Sequence, residues 1–167
     1  MTPFHKAHST EVAGFHNNPC GDDRFYNNLF VQRGNLSPYD AARLPVWMGG
    51  NVFLKGTKPS THETEPLLKP EFDPALKLVE KADGIYLDLT LDKAWNVEQT
   101  RKLVTTELLG KAVIPDLPYE HPDGTPIRLD TDYFGKKRNE GNPFPGPFEL
   151  PAGGKQMLKV WPVAAPN

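Results

Sequence analysis

Three histidines crowd the start of the chain, His5, His8 and His16, with Glu11 among them. A metal centre needs such side chains to converge at about 2.0 to 2.2 Å, with further partners orienting them. No recognised zinc spacing occurs here. In an extended segment His8 and His16 share one face and Glu11 lies on the other, so neither a metal nor another cofactor is expected. His8 and Glu11 are instead the candidates for contacting a sugar from a polar loop; a solvated loop in which Glu11 caps a turn accounts for the same residues. Asp22-Asp23-Arg24 offers oxygen ligands, but the spaced acidic and glycine positions of a calcium loop are missing. Hydrogen bonds that hold the start of a strand are the simpler reading. Asp130-Thr131-Asp132-Tyr133 with Lys136-Lys137-Arg138 reads as a charged turn with local ion pairs, each contributing about 0 to 1 kcal/mol when exposed. Glycoside hydrolysis requires two opposed carboxyl groups, about 5 to 5.5 Å apart for retention or about 6.5 to 9.5 Å for inversion. The chain has 21 Asp and Glu, yet no spacing pairs any two of them, and no catalytic residue is assigned within it. Ser9 and Ser37 lack the surroundings of a nucleophile elbow, and no glycine-rich phosphate loop precedes a helix. Cys20 is the single cysteine, which excludes an internal disulfide and a paired redox motif.

The elements that must carry these residues are short. With 18 Pro and 14 Gly in 167 residues, turn-formers are well above the usual share of about 12%, and long helices are not expected. Nine Phe, five Tyr and three Trp argue for a packed core, because disordered chains are poor in aromatics. Residues 2–15 read as a loop with one short strand inside it, followed by the turn-rich 17–23. Residues 24–31 are aromatic and β-branched at both ends with Asn27-Asn28 between. Asn tolerates left-handed backbone, so this is a strand turning a corner, as in a rung of a parallel β-helix; a hairpin edge is the plainer alternative. After a polar loop, 32–44, residues 46–54 read as two strand pieces around a Gly49-Gly50 bend, and 55–70 as a surface connection. Residues 77–91 give a hairpin turning at Asp83-Gly84, whose second strand places Ile85, Leu87, Leu89 and Leu91 on one face toward a core. Residues 94–104 suggest a short helical turn running into a strand. The stretches 111–117, 127–129 and 157–163 are extended, each bounded by Pro or Gly, which suggests an antiparallel sheet or sandwich. No internal repeat is evident.

A net charge of −2 supplies no basic field for nucleic acid. No stretch approaches the roughly 20 apolar residues of a membrane span. Met1 is not followed by the basic and apolar regions of a secretory leader, which gives a cytoplasmic expectation if Met1 is the natural start.

The strings His8-Ser9-Thr10-Glu11-Val12-Ala13-Gly14-Phe15 and Gly21-Asp22-Asp23-Arg24-Phe25-Tyr26-Asn27-Asn28-Leu29-Phe30 resemble the last part of the parallel β-helix in β-xylosidases of glycoside hydrolase family 120. Later landmarks follow in similar order: Phe72-Asp73-Pro74-Ala75-Leu76, residues 83–89, Pro122-Asp123-Gly124, Leu129-Asp130-Thr131-Asp132-Tyr133 and Leu158-Lys159-Val160-Trp161. The first two strings are long and specific, the later ones short. The resemblance implies an all-β chain, the terminal rungs of a right-handed parallel β-helix over 1–70 followed by a sandwich-like region of short antiparallel strands over 71–167. It also implies a retaining enzyme acting on xylo-oligosaccharides, whose catalytic carboxylates lie upstream of the matched segment. The expected partners are therefore a xylo-oligosaccharide or related glycoside and a missing N-terminal catalytic portion. Alone, the chain is expected to be inactive, to leave Phe25, Leu29 and Val31 uncovered, and to be marginally stable or to self-associate. The alternative is a free-standing carbohydrate-binding or interaction module with Trp47 and Trp95 as stacking platforms, unless these are core residues.

Overall fold

The computed structural model describes residues 1–32 and 34–163. Among these residues the chain is all-β apart from a 3-10 turn and two single-turn helices. Its first two strands, β1 (Thr2–His5) and β2 (Val12–His16), pair antiparallel as a hairpin. The sequence pattern suggests only one strand here; half of this hairpin is hidden by Pro3 and by the lack of apolar alternation.

Six short strands then build two parallel stacks. In the first, β3 (Asp23–Tyr26), β5 (Val46–Gly49) and β7 (Glu63–Thr64) lie side by side, with Tyr26 beside Gly49 and Gly49 beside Thr64. In the second, β4 (Leu29–Val31), β6 (Val52–Leu54) and β8 (Leu67–Lys69) are likewise in order. The chain passes between stacks at three equivalent corners. Asn27, Gly50 and Glu65 occupy them with φ of 59°, 68° and 54°, the left-handed region that Gly and Asn enter at least cost. Gly50 is required for a second reason, since a Cβ there would run into Asn27 Oδ1. The strand pieces expected at 24–31 and 46–54 are thus present. The connection expected over 55–70 is not merely surface, because β7 and β8 complete the stacks within it and Ser60 and Glu63 are buried.

Behind the second corner the polar backbone is satisfied by a buried amide. Asn51 is fully buried; its Oδ1 accepts from the Asn28 backbone N–H at 2.8 Å and the Asn28 amide at 3.0 Å. Its own Nδ2 donates to Phe25 O at 2.7 Å and to Glu63 Oε2 at 2.6 Å. Buried polar groups need such partners. Aromatic rings stack in register beside this ladder, Phe30 on Phe53 with centroids 5.2 Å apart, while Phe25 meets Tyr39 of the 3-10 turn Ser37–Ala41 edge-on at 4.9 Å.

The hairpin at 77–91 is present as β9 (Lys77–Lys81) and β10 (Gly84–Leu91), and β13 (Gly154–Trp161) pairs antiparallel along the other side of β10. One face of this sheet lies on the second stack. Val52, Leu54, Leu89, Leu91, Trp95 and Phe144 form the buried core, with Leu29, Val31, Leu67 and Leu87 packed against it. The expected apolar face of β10 is only partly covered: Leu89 and Leu91 are buried, whereas Ile85 is 37% exposed. Between β10 and β13 lie the helical turns α1 (Trp95–Glu98) and α2 (Thr106–Leu109) and the small hairpin of β11 (Lys111–Ala112) and β12 (Leu117–Pro118). The helical turn at 94–104 is thus present; no strand follows it, and α2, capped by Thr105 Oγ1 accepting from Leu108 N–H at 3.2 Å, was not anticipated. Residues 127–129 make only a single bridge, Thr105 with Arg128. No helix among the described residues is long and apolar enough to cross a membrane.

Candidate functional site

Two surfaces gather polar side chains. The first lies at the tip of the β1–β2 hairpin. His8, at φ 58°, sits against the loop after β12: Nδ1 is 2.6 Å from Pro122 O and Nε2 is 2.8 Å from Glu120 Oε1. The hydrogen bond to Glu120, then that to Pro122, raises the His8 pKa above its ordinary value of 6.5. An open depression beside it is lined by Ser9, Thr10, Leu117, Glu120 and His121. Glu11, the other anticipated residue, is not drawn to His8. Its Oε1 accepts from Lys6 Nζ at 2.9 Å, both side chains being exposed. His5 and His16 also go elsewhere, His5 to Thr10 O at 3.0 Å and His16 edge-on to Phe4 with centroids 5.2 Å apart.

The second surface is a cleft of about 530 Å³ between the first stack and residues 99–102, lined by Tyr26, Trp47, His62, Thr64, Arg101 and Lys102. The parallel register aligns Tyr26, Gly49 and Thr64 across its floor. Gly49 keeps that floor low, since a Cβ there would stand 3.3 Å from Thr64 Oγ1. Burial pushes the Tyr26 phenol up. An aromatic wall with a few polar groups has the make-up of a binding site for a small polar ligand. One face of Trp47 is already occupied: the Arg24 guanidinium lies 3.9 Å from its ring centroid and 4.6 Å from that of Tyr119. Trp95 is fully buried, and its indole N–H has no partner among the described residues, so it belongs to the core and not to a stacking platform. Tyr26, Thr64 and Lys102 escape the sequence pattern; for Tyr26 the signal is the recurrence of Asn-apolar-Phe-apolar at Asn28-Leu29-Phe30-Val31 and Asn51-Val52-Phe53-Leu54, 23 residues apart, which stacks its strand on the next, whereas Thr64 on two-residue β7 and Lys102, outside any strand, carry no such mark.

The charged residues in the interior are committed to the frame. Arg24, besides its ion pair with Asp22, donates to Leu109 O at 2.7 Å, Lys111 O at 2.6 Å and Tyr119 Oη at 2.9 Å. The hydrogen bonds expected to hold this strand entry are thus made by Arg24, with Asp22 as its carboxylate partner. Arg101 is 1% exposed and pairs with no carboxylate among the described residues. It donates to Gly50 O at 2.9 Å, Trp95 O at 3.1 Å and Gln99 Oε1 at 2.5 Å, and burial lowers its pKa to about 10, which leaves it charged at neutral pH. Burial raises the Glu63 carboxyl despite its bonds to Asn51. In the anticipated charged turn Lys137 pairs with Asp130. Asp132, however, is buried and accepts from the backbone N–H groups of Phe134, Lys136 and Glu149, each at 2.9 Å. Among the described residues no group of three or more His, Cys, Asp or Glu is placed to hold a metal.

No family model matches the chain, and no curated protein does either. Among solved structures, that of XylC in complex with xylose superposes with a TM-score of 0.86 and is 33% identical in sequence, covering 96% of this chain. The chain spans 29% of the length of XylC. It therefore shares, over nearly all its residues, the fold of a part of a protein that binds xylose in its solved structure.

Proposed function

We propose that this chain is the closing end of a parallel β-helix in a retaining β-xylosidase-type glycoside hydrolase acting on xylo-oligosaccharides. In this reading residues 1–70 are the last rungs with their loops, and residues 71–167 are the strand region that covers them. The catalytic carboxylates are carried by a preceding portion of the enzyme. The supporting observation is the 33% identity to XylC sustained across 96% of the chain. The two stacks and their three left-handed corners agree with it, because stacked parallel strands joined by tight corners are how a β-helix is built. The acids of the interior, Glu63, Asp132 and Glu149, are held as backbone and amide acceptors, which fits a chain that contributes shape and not acid–base chemistry.

Within that enzyme His8 and Glu11 are the residues of this chain proposed to meet the substrate. Both stand on the hairpin tip, and loops carried on a rigid frame are where binding residues collect. His8 is held at two points by Glu120 and Pro122, so its ring presents a fixed surface. Assayed on a chromogenic xyloside, the chain alone is expected to give no turnover, and the polypeptide that includes its preceding residues to release xylose with retained anomeric configuration. Turnover by the chain alone, or an inverted product, would refute the proposal. In the complete enzyme His8→Ala is expected to lower kcat/KM for xylobiose, and an unchanged value removes His8 from the site.

A further inference from the structure

The two ends of the parallel stacks are finished differently. At one end the amide ladder stops on Glu63, a carboxylate that only accepts, beside strands of two and three residues, β7 and β8. At the other end stands Asn28. Its backbone N–H and Nδ2 are given to Asn51 Oδ1, while its own Oδ1 receives no hydrogen bond among the described residues. Asn51 shows what belongs there: its Oδ1 takes a backbone N–H and an amide N–H from the residue one turn earlier. Asn28 is placed to take the same pair.

The strand that follows Asn28 is open as well. β4 has β6 on one side and, among the described residues, no strand on the other. The sheet that covers the stacks has more apolar face than the stacks use. Along β10 the exposure climbs on a single face, from Leu91 at 3% and Leu89 at 4% through half-buried Leu87 to Ile85 at 37%. Leu78 and Trp161, paired in register with Leu87 and Ile85, are 71% and 64% exposed. A small apolar cavity of about 110 Å³ marks the seam, with Leu29 and Val31 of β4 on one wall and Leu76 and Leu87 on the other. The β1–β2 hairpin does not fill this place, since its strands pair with one another.

We propose that the free edge of β4 and the uncovered end of the β9–β10–β13 sheet form one docking surface, occupied by the preceding turn of the coil. This rests on the reading of the chain as the end of a longer β-helix, of which it matches 29% in XylC. The occupant's strand carries Asn at the position that stacks on Asn28, then apolar residues at the two positions that stack on Leu29 and Val31. It repeats the pattern of Asn28-Leu29-Phe30-Val31 and Asn51-Val52-Phe53-Leu54. The amide completes Asn28 Oδ1, and the two apolar side chains lie under Leu87, Ile85 and Leu78.

The test uses the polypeptide extended by its preceding residues. Hydrogen exchange of peptides covering 23–31 is expected to slow about tenfold or more relative to the short chain, with a drop in acrylamide quenching of Trp161. Should the short chain fail to fold, two substitutions in the extended polypeptide decide. Leu78→Asp is expected to lower Tm by several degrees, while Val97→Asp, at a site 90% exposed on α1, leaves it in place. Equal effects of the two, unchanged exchange over 23–31, or a dimer of the extended polypeptide that Leu78→Asp dissociates would overturn the assignment. Xyloside turnover is read separately: an inactive extended polypeptide that shows the protection refutes the glycosidase reading and leaves the docking surface standing.

Discussion

Both ring nitrogens of His8 face oxygens that accept hydrogen bonds, Pro122 O and Glu120 Oε1, so both contacts are made together when each nitrogen carries a proton. Glu120 and Asp123 add attraction from the facing loop, which also carries His121. Because the folded value is raised, the contact is fully present below the ordinary His pKa and is lost as pH rises through the raised one. NMR titration of His8 is expected to show the hairpin tip releasing from residues 120–124 on going from mildly acidic to alkaline solution. Glu120→Gln should bring the midpoint down and leave the remaining shift to Pro122 and Asp123; an unchanged midpoint would refute the arrangement. That His8 was chemically notable was legible in the sequence. Its partner was not, because Glu120 lies 112 residues away and no local pattern joins them. The same holds for Trp95, whose burial depends on Phe72 and Phe144 lying 5.3 and 6.0 Å from it.

At the scale of elements the corners govern the fold. Three residues at equivalent positions adopt left-handed backbone, and at Gly50 the neighbouring Asn27 amide leaves no room for a Cβ. Gly50→Ala is therefore expected to cost about 2 kcal/mol or more, from the backbone conformation alone and then from displacement of Asn27. Urea unfolding reads this, and a loss below half that value would mean that the corner relaxes freely. The strand–corner–strand texture of 24–31 and 46–54 was readable from Asn-Asn and Gly-Gly set between apolar runs. The third turn was not, because β7 and β8 have two and three residues, Pro66 replaces the corner Asn, and their surroundings are polar. Its strands are strands by neighbourhood: a pre-formed edge in β5 and β6 recruits segments with little propensity of their own.

For the molecule as a whole, the core is shared by segments far apart in sequence. Phe144, fully buried, stacks on Trp95 and closes the cluster formed by Val52, Leu54, Leu89 and Leu91. Phe144→Ala is expected to cost about 3 to 5 kcal/mol, read as one cooperative urea transition moving to lower concentration. Two separate transitions would show instead that the stacks and the covering sheet unfold independently. An all-β chain was legible from its turn content and from the period-two face of β10. The position of the 143–148 Pro and Gly loop in the core was not, since nothing local to a loop announces that Pro143, Phe144 and Pro145 will be wholly buried. The unlike ends of the amide ladder carry one more consequence. A head-to-tail filament needs two complementary ends on every subunit. Here Glu63 only accepts and Pro66 has no N–H to give, so the β7–β8 end is a poor mate for the Asn28 end of a second copy, and head-to-tail growth along the axis is disfavoured.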